Sequence, residues 1–336
     1  MLKRTKLFNP NGGDSFQEQA LLGGNPSGIA NLNNSRYSWV SPLYRQMVGN
    51  FWVPEKVDLT GDKVSIKELT EDEDEATKNT LSFLIFLDNY QTANLPSVSG
   101  YITNPNVRNL LTVHAFQEVI HSAAYQYVLE ALYPTMQRDE IYNRWKTNNA
   151  LMERNKSIAS IGEAFASEAS EYNFHKVLAA NFALEGIYFY QGFNFFDQLA
   201  HRNRLVQTDK EIDYIRNDEL THMGLFVNIM KEAKTPKAII EEVVEDAVNN
   251  EIAWCKSVYG NRILGISEAS SEEYVKYIAN DRLGRMGIAP MFQGVKNPYA
   301  HIEQSKKSGG KRENFFESGA VTEYDTAGSV DGWDDL

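Results

Sequence analysis

The sequence predicts an all-α protein whose core is a bundle of long helices. Apolar residues recur at the three- and four-residue spacing of a helix face, in several segments of about 20 residues or more. No stretch alternates apolar and polar residues for long enough to indicate a β-strand. Capping motifs and prolines stand at the ends of several of these segments, where they favour helix boundaries.

The composition is that of an ordinary globular protein and narrows its class. The chain has 336 residues, of which 42% are hydrophobic and 23% are charged, and its formal net charge is −12. An acidic chain without a basic stripe is not expected to bind nucleic acid, and no apolar run is long enough to cross a membrane. The single cysteine, Cys255, excludes an intramolecular disulfide and suits a reducing cytoplasm, where we expect the protein to reside.

Three regions differ in composition. Residues 1–35 are rich in Gly, Asn, Pro and Ser, and they predict a flexible N-terminal arm. Residues 36–300 carry the helical patterns, and residues 301–336 form a predicted flexible, acidic C-terminal tail without Lys or Arg after Glu313. A purely solubilising tail has little use for Trp333 and Leu336, so we expect this tail to fold onto a partner.

The first long helix is predicted to follow residues 70–73, whose sequence Thr-Glu-Asp-Glu has the form of a capping box. Its inward face carries one charged residue, Asp88, at a core position between Leu84 and Thr92, and Pro96 is predicted to end the helix. The second helix is predicted to begin near Asn106. Its inward face carries four polar residues, each about one helical turn from the next: His114, Glu118, His121 and Tyr125.

A third helical pattern is an aromatic stripe from Phe174 to Phe196, interrupted on its inward face by Glu185. A second predicted capping box, at residues 208–211, opens a helix whose inward face includes Glu219 and His222. Further helices are predicted after Pro236 and over residues 271–284. The bundle therefore has four core helices with a carboxylate on the inward face, two of which also carry a histidine three residues later.

Four inward carboxylates and two imidazoles form a recognisable set of metal ligands. A buried charge needs a partner or a metal, and the inward faces offer no Lys or Arg. One carboxylate from each of two helices, with Glu-x-x-His from the other two, is the pattern of ferritin-like bundles with a dinuclear metal site. We therefore predict such a site between the four helices. His114 is interpreted as a core or interface histidine rather than as a ligand.

The chain resembles the small, radical-generating subunit of class I ribonucleotide reductase over about residues 39–336. The resemblance rests on six motifs in the family's order: Phe51-Trp52-Val53-Pro54-Glu55, Asp88-x-x-Gln91, Glu118-x-x-His121-x-x-x-Tyr125, Leu184-Glu185-Gly186-Ile187-x-Phe189, Asp218-Glu219-x-x-His222 and Asn314-Phe315-Phe316-Glu317.

The resemblance implies roles for these residues. One metal would be held by Asp88, Glu118 and His121, and the other by Glu185, Glu219 and His222. Tyr125 would carry the stored radical, inside an apolar pocket that includes Phe189, Phe193 and Ile215. Trp52 and Asp218 would relay electrons through His121, and Tyr324 would continue that relay in the tail.

The resemblance also implies the activity, cofactor and partners. The chain would be the small subunit of ribonucleoside-diphosphate reductase, a homodimer that docks on the large catalytic subunit through its tail. The cofactor is expected to be Fe/Fe. Mn/Mn and Mn/Fe are the alternatives, because first-row metals share these ligands. A flavoprotein activase is a further candidate partner. The competing interpretation is a dimetal-carboxylate monooxygenase or ligand-binding oxidase acting on its own substrate.

Overall fold

The computed structural model describes residues 1–308, which are helical and contain no β-strand, so the all-α prediction is confirmed. Met1–Pro298 form one compact unit, and a second unit begins at Tyr299. The helices of the first unit are α1 (Val40–Gly49), α2 (Asp62–Ser65), α3 (Glu71–Ser99), α4 (Pro105–Leu132), α5 (Thr135–Thr147), α6 (Asn149–Ser167), α7 (Glu171–Ala183), α8 (Tyr190–Ala200), α9 (Val206–Ala233), α10 (Lys237–Val258) and α11 (Glu268–Arg285). The described part of the second unit contains α12 (Ala300–Ser308).

The centre of the first unit is formed by the long helices α3, α4 and α9 and by the shorter helices α7 and α8. α3 packs along α4, α4 packs against α9, and α9 packs against both α7 and α8. α10 and α11 pack on each other, and α10 also packs on α6 and α7. The inward faces of these helices bury large apolar side chains completely, so that any polar side chain on the same faces is removed from water.

The start of α3 agrees with the sequence and its end does not. The Thr70 side chain accepts a hydrogen bond from the Glu73 N–H at 3.2 Å, and the Glu73 carboxylate accepts one from the Thr70 N–H at 3.0 Å. The predicted capping box is therefore confirmed. The prediction that Pro96 ends the helix is wrong, because Pro96 lies in the last turn and its carbonyl still accepts from the Gly100 N–H at 3.1 Å.

The second predicted capping box, at residues 208–211, is wrong. α9 begins earlier, at Val206, directly after Leu205 in a left-handed conformation with φ of 47°. The carboxylate of Asp62, from α2, accepts hydrogen bonds from the Thr208 N–H at 2.6 Å and from the Thr208 hydroxyl at 2.7 Å. A side chain distant in sequence thus caps the helix, which a search for local capping motifs does not detect.

The aromatic stripe of residues 174–196 is divided between two helices. A π-helical turn, Leu184–Tyr188, separates α7 from α8, and all five of its residues are buried. A π-helical turn widens the helix locally and changes the direction of the side chains that follow, and such turns are frequent at functional sites. Glu185 lies in this turn.

Residues 1–35 make backbone contacts with the helical bundle. The Leu2 N–H donates to the Ala169 carbonyl at 2.7 Å, and the Thr103 N–H donates to the Leu21 carbonyl at 2.8 Å. The flexibility of this arm, inferred from its composition, stays a prediction. Among residues 1–308, no helix has the length and apolar character that a membrane span requires.

Glu211, on α9, is a carboxyl group that is only 1% exposed and has no hydrogen-bond partner. Burial, together with the charge of Glu55, raises its pKa from the ordinary 4.5 to about 9. Between these two pKa values the unfolded chain releases a proton that the folded chain keeps. Stability therefore falls as the pH rises from 4.5 towards 9.

We expect Glu211→Gln to remove this pH dependence, because the amide does not ionise. The stability advantage of the variant over the wild type should grow by up to about 1.4 kcal/mol per pH unit between roughly pH 6 and 8.5. Urea unfolding of the metal-free protein across that range measures it, with the exposed Glu130→Gln as the control. Parallel stability profiles for Glu211→Gln and the wild type would contradict the assignment of a buried, protonated carboxyl.

Candidate metal centre

Two groups of metal-binding side chains lie inside the bundle and share the carboxylate of Glu118. Within each group the candidate ligand atoms all lie within 4.8 Å of one another. All these side chains are 0% exposed. The first group consists of Asp88, Glu118, His121 and Glu219, and the second consists of His114, Glu118, Glu185 and His222. The structure thus brings together the six ligands predicted from the sequence and adds His114.

Helix geometry explains why these residues meet. Glu118 and His121 are one turn apart on α4, and Glu219 and His222 are one turn apart on α9, so each pair projects from one face. The two helices pack against each other, which brings the faces together. α3 contributes Asp88, and the π-helical turn contributes the remaining carboxylate.

Both histidines of the Glu-x-x-His motifs turn the same ring atom towards the carboxylates. His121 Nδ1 lies 3.1 Å from Glu219 Oε1, and His222 Nδ1 lies 2.9 Å from Glu219 Oε2. The opposite ring atoms are held from outside, since His121 Nε2 lies 3.1 Å from Asp218 Oδ2 and His222 Nε2 lies 3.1 Å from Gln117 Oε1. These outer contacts favour a proton on Nε2 and leave the Nδ1 lone pairs directed into the site.

The buried carboxylates lie so close together that their negative charges would repel one another. Burial and the neighbouring Glu118 raise the pKa of both Asp88 and Glu219 well above the usual range. Burial alone would also raise the pKa of Glu118, but its contacts with three imidazoles outweigh burial and hold that pKa well below its usual range. Added positive charge would therefore stabilise the site.

The donor atoms fit two divalent metal ions. Both carboxylate oxygens of Asp88 and of Glu118 lack a hydrogen-bond partner, as do Glu185 Oε2 and Glu219 Oε1. Within residues 1–308, Glu118, Glu185 and Glu219 form ion pairs with histidines alone, and Asp88 forms none. Four carboxylates and imidazole nitrogens are the ligands that iron and manganese accept. The buried cluster is therefore a dinuclear metal site.

His114 is not the ordinary core histidine that the sequence analysis predicted. Its Nε2 lies 2.9 Å from Glu118 Oε1 and 3.1 Å from Glu185 Oε1, and its ring stacks on that of His222 with centroids 3.7 Å apart. Burial would lower the pKa of His114, but the two carboxylates raise it to about 9. Its position four residues before Glu118, on the same face of α4, was the signal in the sequence.

A chain of buried amides holds the Glu185 carboxylate. The Gln91 side-chain NH₂ donates to Glu185 Oε1. The Asn94 NH₂ in turn donates to Gln91 Oε1 at 2.9 Å and to Asn181 Oδ1 at 2.9 Å. Because Gln91 Oε1 is engaged by a donor, its NH₂ end is fixed towards Glu185. In the sequence, Gln91 is visible only as part of the Asp88-x-x-Gln91 motif, and its contact with Glu185 comes from another helix.

Tyr125 lies on α4, one turn beyond His121, and is 1% exposed. Its hydroxyl has no hydrogen-bond partner, and burial, followed by the charge of Asp88, raises its pKa well above 10. The residues predicted to form its apolar pocket are also buried, at 0 to 1% exposure: Phe189, Phe193 and Ile215. The phenol is therefore protonated and shielded from water at neutral pH.

Trp52 and Asp218 form a connected path to the site. The Trp52 Nε1–H donates to Asp218 Oδ2 at 2.9 Å, and the same oxygen is the one that contacts His121. The Trp52 ring stacks on Tyr214 with centroids 5.3 Å apart and on His121 with centroids 6.1 Å apart. Tyr324, predicted as a further relay residue, lies outside the described residues.

Comparisons with known proteins point to one family. The family model "Ribonucleotide reductase, small chain" matches residues 29–298. The chain is 34% identical to the ribonucleoside-diphosphate reductase subunit beta of Treponema pallidum, over 98% of each chain. It is 32% identical to the corresponding subunit of Halalkalibacterium halodurans, over 100% of this chain and 99% of the relative. A solved ribonucleotide reductase R2 subunit from Clostridium botulinum is 38% identical, with a TM-score of 0.86, covering 90% of this chain and 98% of that one.

The sharing of Glu118 between the two groups predicts unequal effects of ligand substitutions. We expect the wild type to bind two Mn²⁺ ions per chain, Asp88→Ala to bind one, and Glu118→Ala to lose high affinity for both, because only Glu118 belongs to both groups. Calorimetric titration and metal analysis after desalting measure this, with the exposed Asp139→Ala as the control. Retention of two tightly bound ions by Glu118→Ala would contradict a shared ligand.

Proposed function

The chain belongs to the ribonucleotide reductase small-chain family, and from this premise we propose how its residues perform the work of that subunit. It is the small, beta subunit of a ribonucleoside-diphosphate reductase. Such a subunit uses a dinuclear metal site to generate a radical, which passes to the large subunit for the reduction of ribonucleotides. The comparisons support this function and not that of a monooxygenase with its own substrate.

We propose that Asp88, Glu118 and His121 hold one metal and that Glu185, Glu219 and His222 hold the other. Complete burial and the inward Nδ1 atoms of the two histidines support these six residues as ligands. The sequence motif gives Glu219 to the second metal, whereas the structure groups its carboxylate with Asp88, Glu118 and His121. Glu219 lies within 3.1 Å of both histidines and Glu118 belongs to both groups, so these two carboxylates would be placed to serve either metal. His114 adds a third imidazole on the side of Glu185.

We propose Fe/Fe as the native pair, with Mn/Mn and Mn/Fe as the alternatives that metal analysis distinguishes. Carboxylate oxygen and imidazole nitrogen suit both metals. Asp88, rather than a glutamate, and the tyrosine at position 125 favour the pairs that work with a tyrosyl radical. A flavoprotein activase that delivers superoxide is the partner expected for a dimanganese pair. We place the working enzyme in the cytoplasm, where the single Cys255 stays reduced.

The observation that carries the proposed mechanism is the continuous contact from Trp52 through Asp218 to His121. When bound, the metal pair supplies the one-electron oxidation of a neighbouring side chain with the help of an oxygen species. Tyr125 would give up one electron and its phenolic proton, both to the oxygen species, and would become the stored neutral radical. Its burial excludes water and reductants and so lengthens the life of the radical.

Trp52 then connects the stored radical with the large subunit. Its indole N–H is held by Asp218, which provides a carboxylate oxygen for the indole proton while an electron passes. The stack of Trp52 between Tyr214 and His121 keeps the aromatic ring in one orientation. We propose Tyr324 as the next carrier, on the tail that docks on the large subunit.

An exposed apolar surface supports a homodimer. It combines the outer faces of α1 and α4 with Phe51, which follows α1, and its side chains are 43 to 54% exposed: Tyr44, Val48, Phe51, Phe116 and Val119. The ring of Phe51 stacks on that of Phe116, on α4, with centroids 6.4 Å apart. An apolar surface of this kind is typical of a protein interface. We propose that a second copy of the chain covers it.

We expect Tyr125→Phe to abolish the organic radical and to leave two metals per chain. Electron paramagnetic resonance after metal loading and exposure to oxygen measures the radical, and metal analysis measures the site. Trp52→Phe is the matched variant, because it should keep the tyrosyl radical but lose reductase activity with the large subunit by about 100-fold or more. An unchanged radical signal and unchanged activity in Tyr125→Phe would contradict the role of Tyr125, and a metal-centred signal would move the stored oxidising equivalent to the metals.

Deletion of residues 326–336 should weaken binding to the large subunit and leave metal content and radical yield unchanged. The reason is that the acidic, aromatic end of the chain is proposed to form the docking segment. Surface plasmon resonance against the large subunit measures this, and a synthetic peptide of residues 317–336 should compete. Equal affinity of the deleted and full chains would place the docking surface elsewhere.

A further inference from the structure

Two buried arginines outside the metal centre donate hydrogen bonds to the backbone of the π-helical turn. Arg282 Nε, from α11, donates to the Gly186 carbonyl at 2.9 Å. Arg154 Nη2, from α6, donates to the Tyr188 carbonyl at 2.6 Å. The first of these carbonyls belongs to the residue directly after Glu185, and both belong to the turn that carries it.

Both guanidinium groups are almost completely removed from water. Arg154 is 2% exposed and Arg282 is 4% exposed. Arg154 pairs with the buried Glu251, and its guanidinium carbon lies 3.1 Å from the ring centroid of Phe83. The guanidinium of Arg282 lies 4.3 Å from the ring centroid of Tyr190. Burying a charge is unfavourable unless the charge is paired, so the partners of these two side chains hold them in place. One nitrogen of Arg154, Nη1, has no hydrogen-bond partner.

Side chains that donate hydrogen bonds to the carbonyls of the π-helical turn can stabilise it. A π-helical turn departs from the regular i to i−4 hydrogen-bond register of an α-helix, and side chains that bond to the backbone stabilise such departures. Gly186 allows close approach, because a Cβ atom built there would lie 3.3 Å from Arg282 Cγ and 3.2 Å from Met223 Sδ. The Arg282 side chain therefore packs directly on the backbone beside Glu185.

We propose that Arg282 and Arg154 are positioning residues that hold the π-helical turn, and through it the Glu185 carboxylate, in the conformation that binds the second metal. They act on the backbone that carries Glu185, whereas Gln91 acts on the carboxylate itself. The proposal rests on the proposed function, because it requires Glu185 to be a ligand. Neither arginine belongs to the ligand groups, so their effect is indirect.

The test compares Arg282→Met with the wild type in the full-length chain. We expect the variant to bind the first Mn²⁺ normally and the second about 10- to 100-fold more weakly, as is usual when the support of a ligand is lost. The exchange-coupled electron paramagnetic resonance signal of a dimanganese pair should give way to the six-line signal of an isolated ion. Arg202→Met is the control, since it removes another arginine with a buried carboxylate partner, Glu73, and does not contact the turn.

A second variant tests the other arginine without leaving a buried charge unpaired. The double substitution Arg154→Met, Glu251→Met removes both members of the buried pair, and it should weaken the second Mn²⁺ in the same way. Arg282→Lys, which keeps the charge but not the guanidinium geometry, should lie between Arg282→Met and the wild type. Circular dichroism and thermal unfolding verify that each variant is folded.

The outcomes separate this proposal from the ligand assignment on which it rests. If Glu185→Ala loses one Mn²⁺ while Arg282→Met and the double variant bind two with wild-type affinity and a coupled signal, the arginines do not position the ligand. If Glu185→Ala itself keeps two tightly bound ions, the ligand assignment fails first. Loss of the coupled signal in Arg282→Met, with normal first-ion affinity and an unaffected Arg202→Met, supports the positioning role.

Discussion

The burial of four carboxylates in one small volume is the constraint on which the rest of the structure depends. Asp88, Glu118, Glu185 and Glu219 are 0% exposed, and within residues 1–308 no Lys or Arg pairs with them. Such a group of like charges is unstable by itself, because burial and mutual repulsion both penalise ionisation. Metal cations remove that penalty, so the core that would be weakest without metal becomes a strong binding site with it. The four carboxylates come from four different helical segments, α3, α4, the π-helical turn and α9, and the packing of these segments brings the carboxylates together.

Much of the site could be predicted from the sequence because helix periodicity links spacing to direction. A carboxylate at Asp88 or Glu185 stands out on an otherwise apolar face, and Glu-x-x-His keeps two donors on one side. The same argument could not separate His114 from an ordinary core histidine. Its role depends on the distance to the Glu185 carboxylate, which comes from another helix. Contacts between helices are tertiary information that the pattern on a single helix does not contain.

The errors about helix ends have a similar origin. The capping box at Thr70 was predictable because both partners lie within four residues, whereas the start of α9 is fixed by Asp62, more than 140 residues earlier in the chain. The π-helical turn was not predicted either, because the aromatic stripe continues through it without a break in spacing. Two arginines from other helices donate hydrogen bonds to its carbonyls, and such distant partners are not visible in the local sequence. Local propensity identifies the elements, and side chains from elsewhere determine where they begin, end or widen.

The oxygen atom Oδ2 of Asp218 has a consequence for communication between the metals and the electron path. It accepts the indole N–H of Trp52 and also contacts Nε2 of His121, whose Nδ1 faces the metal ligands. A cation on one nitrogen of an imidazole makes the N–H on the other nitrogen more acidic and a stronger donor. With His121 as a metal ligand, as proposed, metal loading would withdraw electron density from the Asp218 oxygen that accepts the Trp52 N–H. The proposed relay tryptophan would then hold its indole proton differently in the metal-loaded and the metal-free subunit.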